Sequence, residues 1–207
     1  MTTNNLLVLD ADGVMLDYNA AYPKVWKAAF GEDLVRVREN CYHAHTEYGV
    51  ELSDPLKKKM FYSAFDDRVW SDMPALAGAV EGAQLLAAAG YRLICVTSMP
   101  TRFQGARHQN LQKLGFPIER VIATGRKFKS NPKLAALAEL QPAAFVDDLL
   151  HNFDAVPDDV HKALIDYGNV DSPNLGLEDK FSHHSVHGSL LDFARHWLQS
   201  STLRKAA

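Results

Sequence analysis

Five short apolar runs, each closing on polar residues, constrain this chain more than any other feature. They are LLVLD (6–10), YRLICVT (91–97), RVIAT (120–124), AAFVDD (143–148) and HKALIDY (161–167). Apolar runs of this length, with little alternation, read as strands buried on both faces, as in a parallel sheet. Helical patterns lie between them. Residues 75–89 run to a stop at Gly90, residues 101–114 to a stop at Gly115, and Pro132 opens a third helix where proline is best tolerated. Alternating strands and helices require right-handed crossovers. The predicted fold is therefore α/β, a Rossmann-like open parallel sheet with helices on both faces.

Residues 18–74 break the alternation. They contain no convincing strand, are too long for a connecting loop, and carry amphipathic stretches (AAYPKVWKAAF, ENCYHAHTEYGV, DPLKKKMFYSAF). The expected organisation is a core made of residues 1–17 and 75–207, with a small helical unit of residues 18–74 inserted after the first strand. Trp26, Phe30, Phe61 and Trp70 are expected to form the insert's own core. The lysine run 57–59 reads as a solvated face.

Composition narrows the class. The 207 residues, 47% hydrophobic, suit one ordinary domain with a modest insertion. A net charge of -3 leaves no footprint for nucleic acid or an anionic membrane, so neither is expected as a partner. Cys41 and Cys95 are the only cysteines, and Cys95 lies inside an apolar run, which suggests free thiols in a reducing compartment. The first residues lack a basic segment followed by a long apolar run, and no stretch approaches bilayer length. A cytoplasmic protein is the expectation.

In open parallel sheets, ligands bind beyond the carboxyl ends of the strands. The residues there are Asp10 and Asp12 after the first run, Thr97 and Ser98 after the second, and Asp147 and Asp148 after the fourth. Crowded carboxylates repel one another, and a cation relieves the repulsion. Mg²⁺ prefers such oxygen ligands and keeps positions open for a phosphate oxygen. A carboxylate in such a site can attack phosphorus, and a second carboxylate two residues away can protonate the leaving oxygen and then activate water. Thr97 can offer a hydroxyl to the phosphoryl oxygens and a nearby lysine a positive charge.

The sequence Asp10-Ala11-Asp12-Gly13-Val14 after a strand, Thr97 ending a strand, a lysine opening a helix and Asp147-Asp148 ending a strand occur in this order. Together they resemble the haloacid dehalogenase superfamily in its Mg²⁺-dependent phosphatase branch, and the insert resembles that family's helical cap. The resemblance implies Asp10 as nucleophile and metal ligand. It implies Asp12 as general acid/base, with its carbonyl on the metal. Thr97 and Ser98 would bind the phosphoryl group, Asp148 the metal directly, and Asp147 a metal-bound water or an outer contact. Asn152 would orient a ligand or a water. Lys133 is the favoured active-site lysine, with Lys129 and Lys127 behind it. The related dehalogenases lack an acid at the Asp12 position, since expelling a halide needs no proton donor. The implied partner is a small phosphorylated metabolite. A sugar-phosphate phosphotransferase or mutase, or a non-catalytic binding protein on the same fold, are the alternatives.

Plainer readings stand beside these. Asp12-Gly13 is a turn signal, Asp147-Asp148 suits a helix N-cap, and Thr97-Ser98 could end a strand and cap a helix. His43 and His45 sit in a helix-like stretch where residues i and i+2 do not share a face. The stretch HHSVH (183–187) reads as a solvated loop before the last helix. The 107–117 pattern reads as a helix with Leu111 and Leu114 facing the sheet. Tyr18, Tyr22 and Arg102 are candidate substrate contacts or ordinary packing residues. Asp17 reads as a hinge residue without a catalytic task.

Overall fold

The computed structural model describes residues 4–125 and 131–206, the last six of these by backbone alone. The chain runs β1 (Leu6–Leu9), α1 (Tyr18–Phe30), α2 (Ala44–Glu47), α3 (Pro55–Ser63), α4 (Asp67–Trp70), α5 (Ala79–Ala88), β2 (Arg92–Thr97), α6 (Gln104–Lys113), β3 (Ile118–Ala123), α7 (Leu134–Leu140), β4 (Ala144–Asp147), β5 (His161–Ile165), β6 (Ser185–His187) and α8 (Leu190–Ala206). One six-stranded sheet, parallel throughout, has the order β3-β2-β1-β4-β5-β6. The five predicted runs are strands, each within a few residues of its expected bounds.

Each central strand is buried on both faces because alternate residues feed different cores. Leu7 and Leu9 join Ala83 and Leu86 of α5 and Phe193 and Trp197 of α8. Leu6 and Val8 join Leu137 of α7, Phe153 and Leu164. Helices α5 and α8 approach closely because Gly82 faces the Leu190–Leu191 backbone, where an added Cβ would lie 2.9 Å from the Leu190 carbonyl oxygen.

Two expectations need correction. HHSVH is not a loop, since Ser185–His187 pairs with β5 as an edge strand. Three residues are too few for a periodic signal, and the strand's half-exposed surface removes the apolar one. Ser185 Oγ is shared by His161 Nε2 at 2.9 Å and His187 Nε2 at 2.8 Å, so the histidines brace this edge. The helix expected from Pro132 begins at Leu134, because the Asn131 side chain takes the Lys133 N–H at 2.9 Å and holds a turn there.

Within residues 18–74, helices α1–α4 surround stacked rings. Phe61 lies 4.6 Å from Tyr22, 5.9 Å from Trp26 and 5.3 Å from Phe65, and Trp26 lies 4.6 Å from Phe30. Trp70 joins this group through Phe65 and also reaches Phe103, beside the core helix α6. Asp17 caps α1 by accepting the Ala20 N–H at 3.0 Å, which gives the hinge acid a structural task. Both cysteines are buried and free. No helix among the described residues is long and apolar enough to cross a membrane.

Candidate active site

The strand order explains why the acidic and hydroxyl residues meet. β2, β1 and β4 are neighbours, and parallel strands all end on the same side of a sheet. Thr97, Asp10 and Asp147-Asp148 therefore emerge side by side. The Asp10 N–H still donates to the Val146 carbonyl at 2.9 Å, so the ladder itself fixes its backbone. Asp10, Asp147 and Asp148 each offer an oxygen within 4.8 Å of the others, and all three are buried.

Lys133 is fully buried against this trio, 2.6 Å from Asp147 Oδ2 and 2.7 Å from Asp10 Oδ1. The contact with Asp147 is an aligned hydrogen bond. That with Asp10 is an ion pair without such alignment, and Asp10 Oδ1 has no hydrogen-bond partner among the described residues. Burial works against the charge of Lys133, but Asp10 and Asp147 outweigh it and hold the ammonium above its ordinary pKa. Asp147 also accepts the Asn152 amide and the Leu149 N–H, both at 2.9 Å, so its carboxylate is locked. Neither acid is a helix N-cap, since Leu149 holds that position without a side-chain cap bond, and Asp147 instead closes the turn before it.

Burial pushes the Asp10 carboxyl up to about 7, with Asp147 and Asp12 adding to the shift and Lys133 opposing it. Burial also raises Asp148 well above the usual carboxylate range, helped by the charges of Asp147 and Asp10. Among the described residues, one lysine faces three buried carboxylates and does not balance them. That imbalance, together with an all-oxygen donor set, fits a hard divalent cation held by Asp10 and Asp148 with Asp147 behind them. Asp148 is placed by two contacts that sequence reasoning missed. Tyr42, from the insert, donates its hydroxyl to Asp148 Oδ2 at 3.0 Å, and Asn174 donates to the Asp148 carbonyl at 2.8 Å. Gly13, at φ +82°, lets Asp148 lie against the first loop, since an added Cβ there would fall 2.1 Å from Asp148 Oδ2.

Ser98 Oγ is buried and has no hydrogen-bond partner among the described residues, as a hydroxyl reserved for a ligand would be. Thr97 and Ser98 cap no helix, because the turn that follows starts after Pro100. Asn152 reaches Asp147 rather than open space. Lys127 and Lys129 lie outside the described residues.

Asp12 is half-exposed and borders two cavities, of about 350 and 540 Å³. The first is lined also by Tyr42, Asp148, Arg36 and Glu47, and the second by Tyr18, Tyr62, His43 and Lys58. Tyr22 and Tyr18 line the second, although Tyr22 is nearly buried and Tyr18 stacks on Phe65. Arg102 lies over the Phe103 ring at 4.4 Å. The argument against a meeting of His43 and His45 fails. His43 is the extended cap of α2 rather than a helical residue, and the two rings lie 5.1 Å apart, nearly parallel. Arg107 is the other residue missed. It is completely buried, and its Nη2 lies 2.7 Å from Asp12 Oδ1. Arg107 shares the i, i+4, i+7 face of α6 with Leu111 and Leu114, so the helical period already places an arginine on the buried face.

No protein-family model and no curated protein matches the sequence. Solved structures do match over almost the whole chain. A HAD family hydrolase from Deinococcus radiodurans R1, with bound phosphate and sodium, is 14% identical at a TM-score of 0.61, covering 97% of this chain and 98% of that one. A haloacid dehalogenase-like hydrolase from Streptococcus pneumoniae is 13% identical at 0.62, covering 95% and 100%. A defluorinating L-2-haloacid dehalogenase is 12% identical at 0.57, covering 93% and 94%. At these identities the likeness establishes the fold. This chain has the haloacid dehalogenase-like α/β fold.

Proposed function

We propose that the chain is a Mg²⁺-dependent phosphoric monoester hydrolase acting through an aspartyl-phosphate on Asp10. The observation that carries this reading is the acid at position 12. Its charge acts on Asp10 of the buried Asp10, Asp147 and Asp148 trio, and it lines both cavities. Attack on carbon with loss of a halide needs no such acid, whereas release of an alcohol from phosphate does.

In the reaction, an Asp10 carboxylate oxygen bonds to phosphorus. The bond from phosphorus to the ester oxygen breaks, and Asp12 gives that oxygen its proton. The alcohol leaves into the space that the cavities provide. A water molecule then loses a proton to Asp12 and bonds to phosphorus. The aspartyl bond breaks, inorganic phosphate leaves, and both aspartates return to their starting state. Lys133, held on Asp10 and Asp147, balances charge at the nucleophile. The Thr97 and Ser98 hydroxyls meet the phosphoryl oxygens. When bound, Mg²⁺ would supply charge neutralisation and orientation of the phosphate. The helices of residues 18–74 act as a cap over this site, and the substrate is a small phosphorylated metabolite.

Replacing Asp10 by Asn tests the reading on an aryl phosphate with Mg²⁺. Turnover is expected to vanish in a folded protein, and hydrolysis at the native rate would contradict the mechanism. A phosphotransferase or mutase would use the same groups, and product analysis separates it, because an isomer would form with little free phosphate. Inactivity of the wild type across a broad panel of phosphate esters would favour a binding protein.

A further inference from the structure

Arginine is almost never fully buried without a partner, and burying its charge is costly. Arg107 shows no exposed surface at all. Its Nη2 meets Asp12 Oδ1 at 2.7 Å, its Nη1 meets Met73 Sδ at 3.3 Å, and its guanidinium lies 5.0 Å from the Trp70 ring centroid. Asn110, one turn further along α6, donates to the Met73 carbonyl at 2.9 Å. Met73 and Trp70 close the insert. Beside them the two chain segments that join insert and core pair with each other. Asp17 N–H donates to the Pro74 carbonyl at 2.9 Å, Leu76 N–H donates to the Met15 carbonyl at 3.0 Å, and Leu16 bridges Ala75. Arg107 thus touches both the proposed proton-transfer group and the joint of the insert.

We propose that Arg107 is a positioning residue that fixes one oxygen of Asp12, leaving the other to meet the leaving group, and ties that orientation to the seating of the insert. The proposal rests on the phosphomonoesterase reading. An arginine suits the task better than a lysine, because its planar guanidinium meets Asp12 with Nη2 and Met73 with Nη1 at once, in a fixed geometry that a point charge does not impose. A pair serving stability alone would have no reason to engage a carboxylate that borders both cavities.

The test measures kcat and KM for phosphate monoesters of graded leaving-group acidity, with Mg²⁺, for wild type, Arg107→Gln, Arg107→Lys, Asp12→Asn and the double variant Asp12→Asn/Arg107→Gln. Esters of aliphatic alcohols need a well-placed acid, so Arg107→Gln is expected to lower their kcat on the order of 100-fold. Esters of acidic phenols are expected to fall far less, and KM to hold. Asp12→Asn is expected to steepen the leaving-group dependence in the same way, with the double variant no slower than Asp12→Asn. An equal loss for every ester, or an additive double variant, would overturn the proposal. Arg107→Lys keeps the charge and guards against a misfolded glutamine variant, and in folded form it must show the same steepening, more weakly. A crystal structure of Arg107→Lys supplies a readout independent of turnover. The Asp12 carboxylate should be rotated from its native position, and an unmoved carboxylate overturns the proposal even if no ester proves to be a substrate. Loss of the hydrolase reading alone would instead show as an inactive wild type with a displaced Asp12 in that variant.

Discussion

The sheet edge and the insert hold their polar groups by different physics. At the sheet edge, the ladder through β2, β1 and β4 sets the backbone, and Asp147, Lys133 and Asp12 are held by charged or amide partners. Asp147 alone has Lys133, Asn152 and the Leu149 N–H. The insert is held by rings packed on rings, and its polar ties to the core gather in two places, around Asn40–His43 and at Asp72–Met73, where Lys113 pairs with Asp72 and Asn110 donates to the Met73 carbonyl. Tyr42 reaches Asp148, Asn40 donates to the Gly168 carbonyl, and Asp171 accepts the Tyr42 and His43 N–H groups. The contrast teaches a division of labour. Under the proposed reaction, the groups that tolerate little displacement sit where hydrogen-bonded strands fix position, and the surface facing the leaving group sits on a unit held by ring packing.

The comparison can be broken at several points. The largest effect is expected from Lys133→Met, which leaves Asp10 and Asp147 without their cation. Turnover should fall roughly 1000-fold, and the melting temperature without metal should drop by an amount matching about 3–5 kcal/mol. Thermal melts with and without Mg²⁺ check this, because the cation should restore part of the loss. A Lys133→Met variant as stable as wild type would show that the edge is not charge-locked.

A middling effect is expected from Phe61→Ala. Phe61 is 1% exposed among Tyr22, Trp26 and Phe65, so the cavity should cost about 3–5 kcal/mol. If the insert is held by its rings, hydrogen exchange should quicken in residues 18–74 while β1, β2 and β4 stay protected. Uniform loss of protection would make insert and core one cooperative unit.

The smallest effect is expected from Tyr42→Phe, which removes one hydroxyl from Asp148 Oδ2. Outer contacts to metal-binding carboxylates typically change affinity about 10-fold, so the Mg²⁺ concentration for half-maximal activity should rise by that order, with kcat at saturation little changed. An unchanged Mg²⁺ requirement would separate the insert from the metal site.

Much of the sheet edge was legible in the sequence because its signals are local. An apolar run of four to six residues fixes a strand, and the next residue must lie at its carboxyl end. Asp10, Thr97, Asp147 and Asp148 follow from that rule alone. Lys133 needed the resemblance to a known family, since three lysines lie near the helix. The partners of Tyr42 and Arg107 were not legible. Tyr42 meets Asp148 across 106 residues through the seating of the insert, Arg107 on α6 meets Asp12 across 95 within the core, and no short-range pattern encodes either contact. The edge strand Ser185–His187 was missed for the opposite reason, since it is local but too short and too exposed to carry a period. His43 was misread because a helix-like composition hid an extended cap residue.

The central claim is that Asp10 attacks phosphorus. Rapid acid quench of the enzyme turning over an aryl phosphate with Mg²⁺, followed by borohydride reduction and peptide mass analysis, tests it most directly. The account expects homoserine at position 10, left when hydride reduces the acyl phosphate and phosphate departs, appearing at least as fast as steady-state turnover and absent from Asp10→Asn. A phosphate-releasing enzyme in which homoserine is never found at position 10, or in which Asp10→Asn turns over unimpaired, would contradict it.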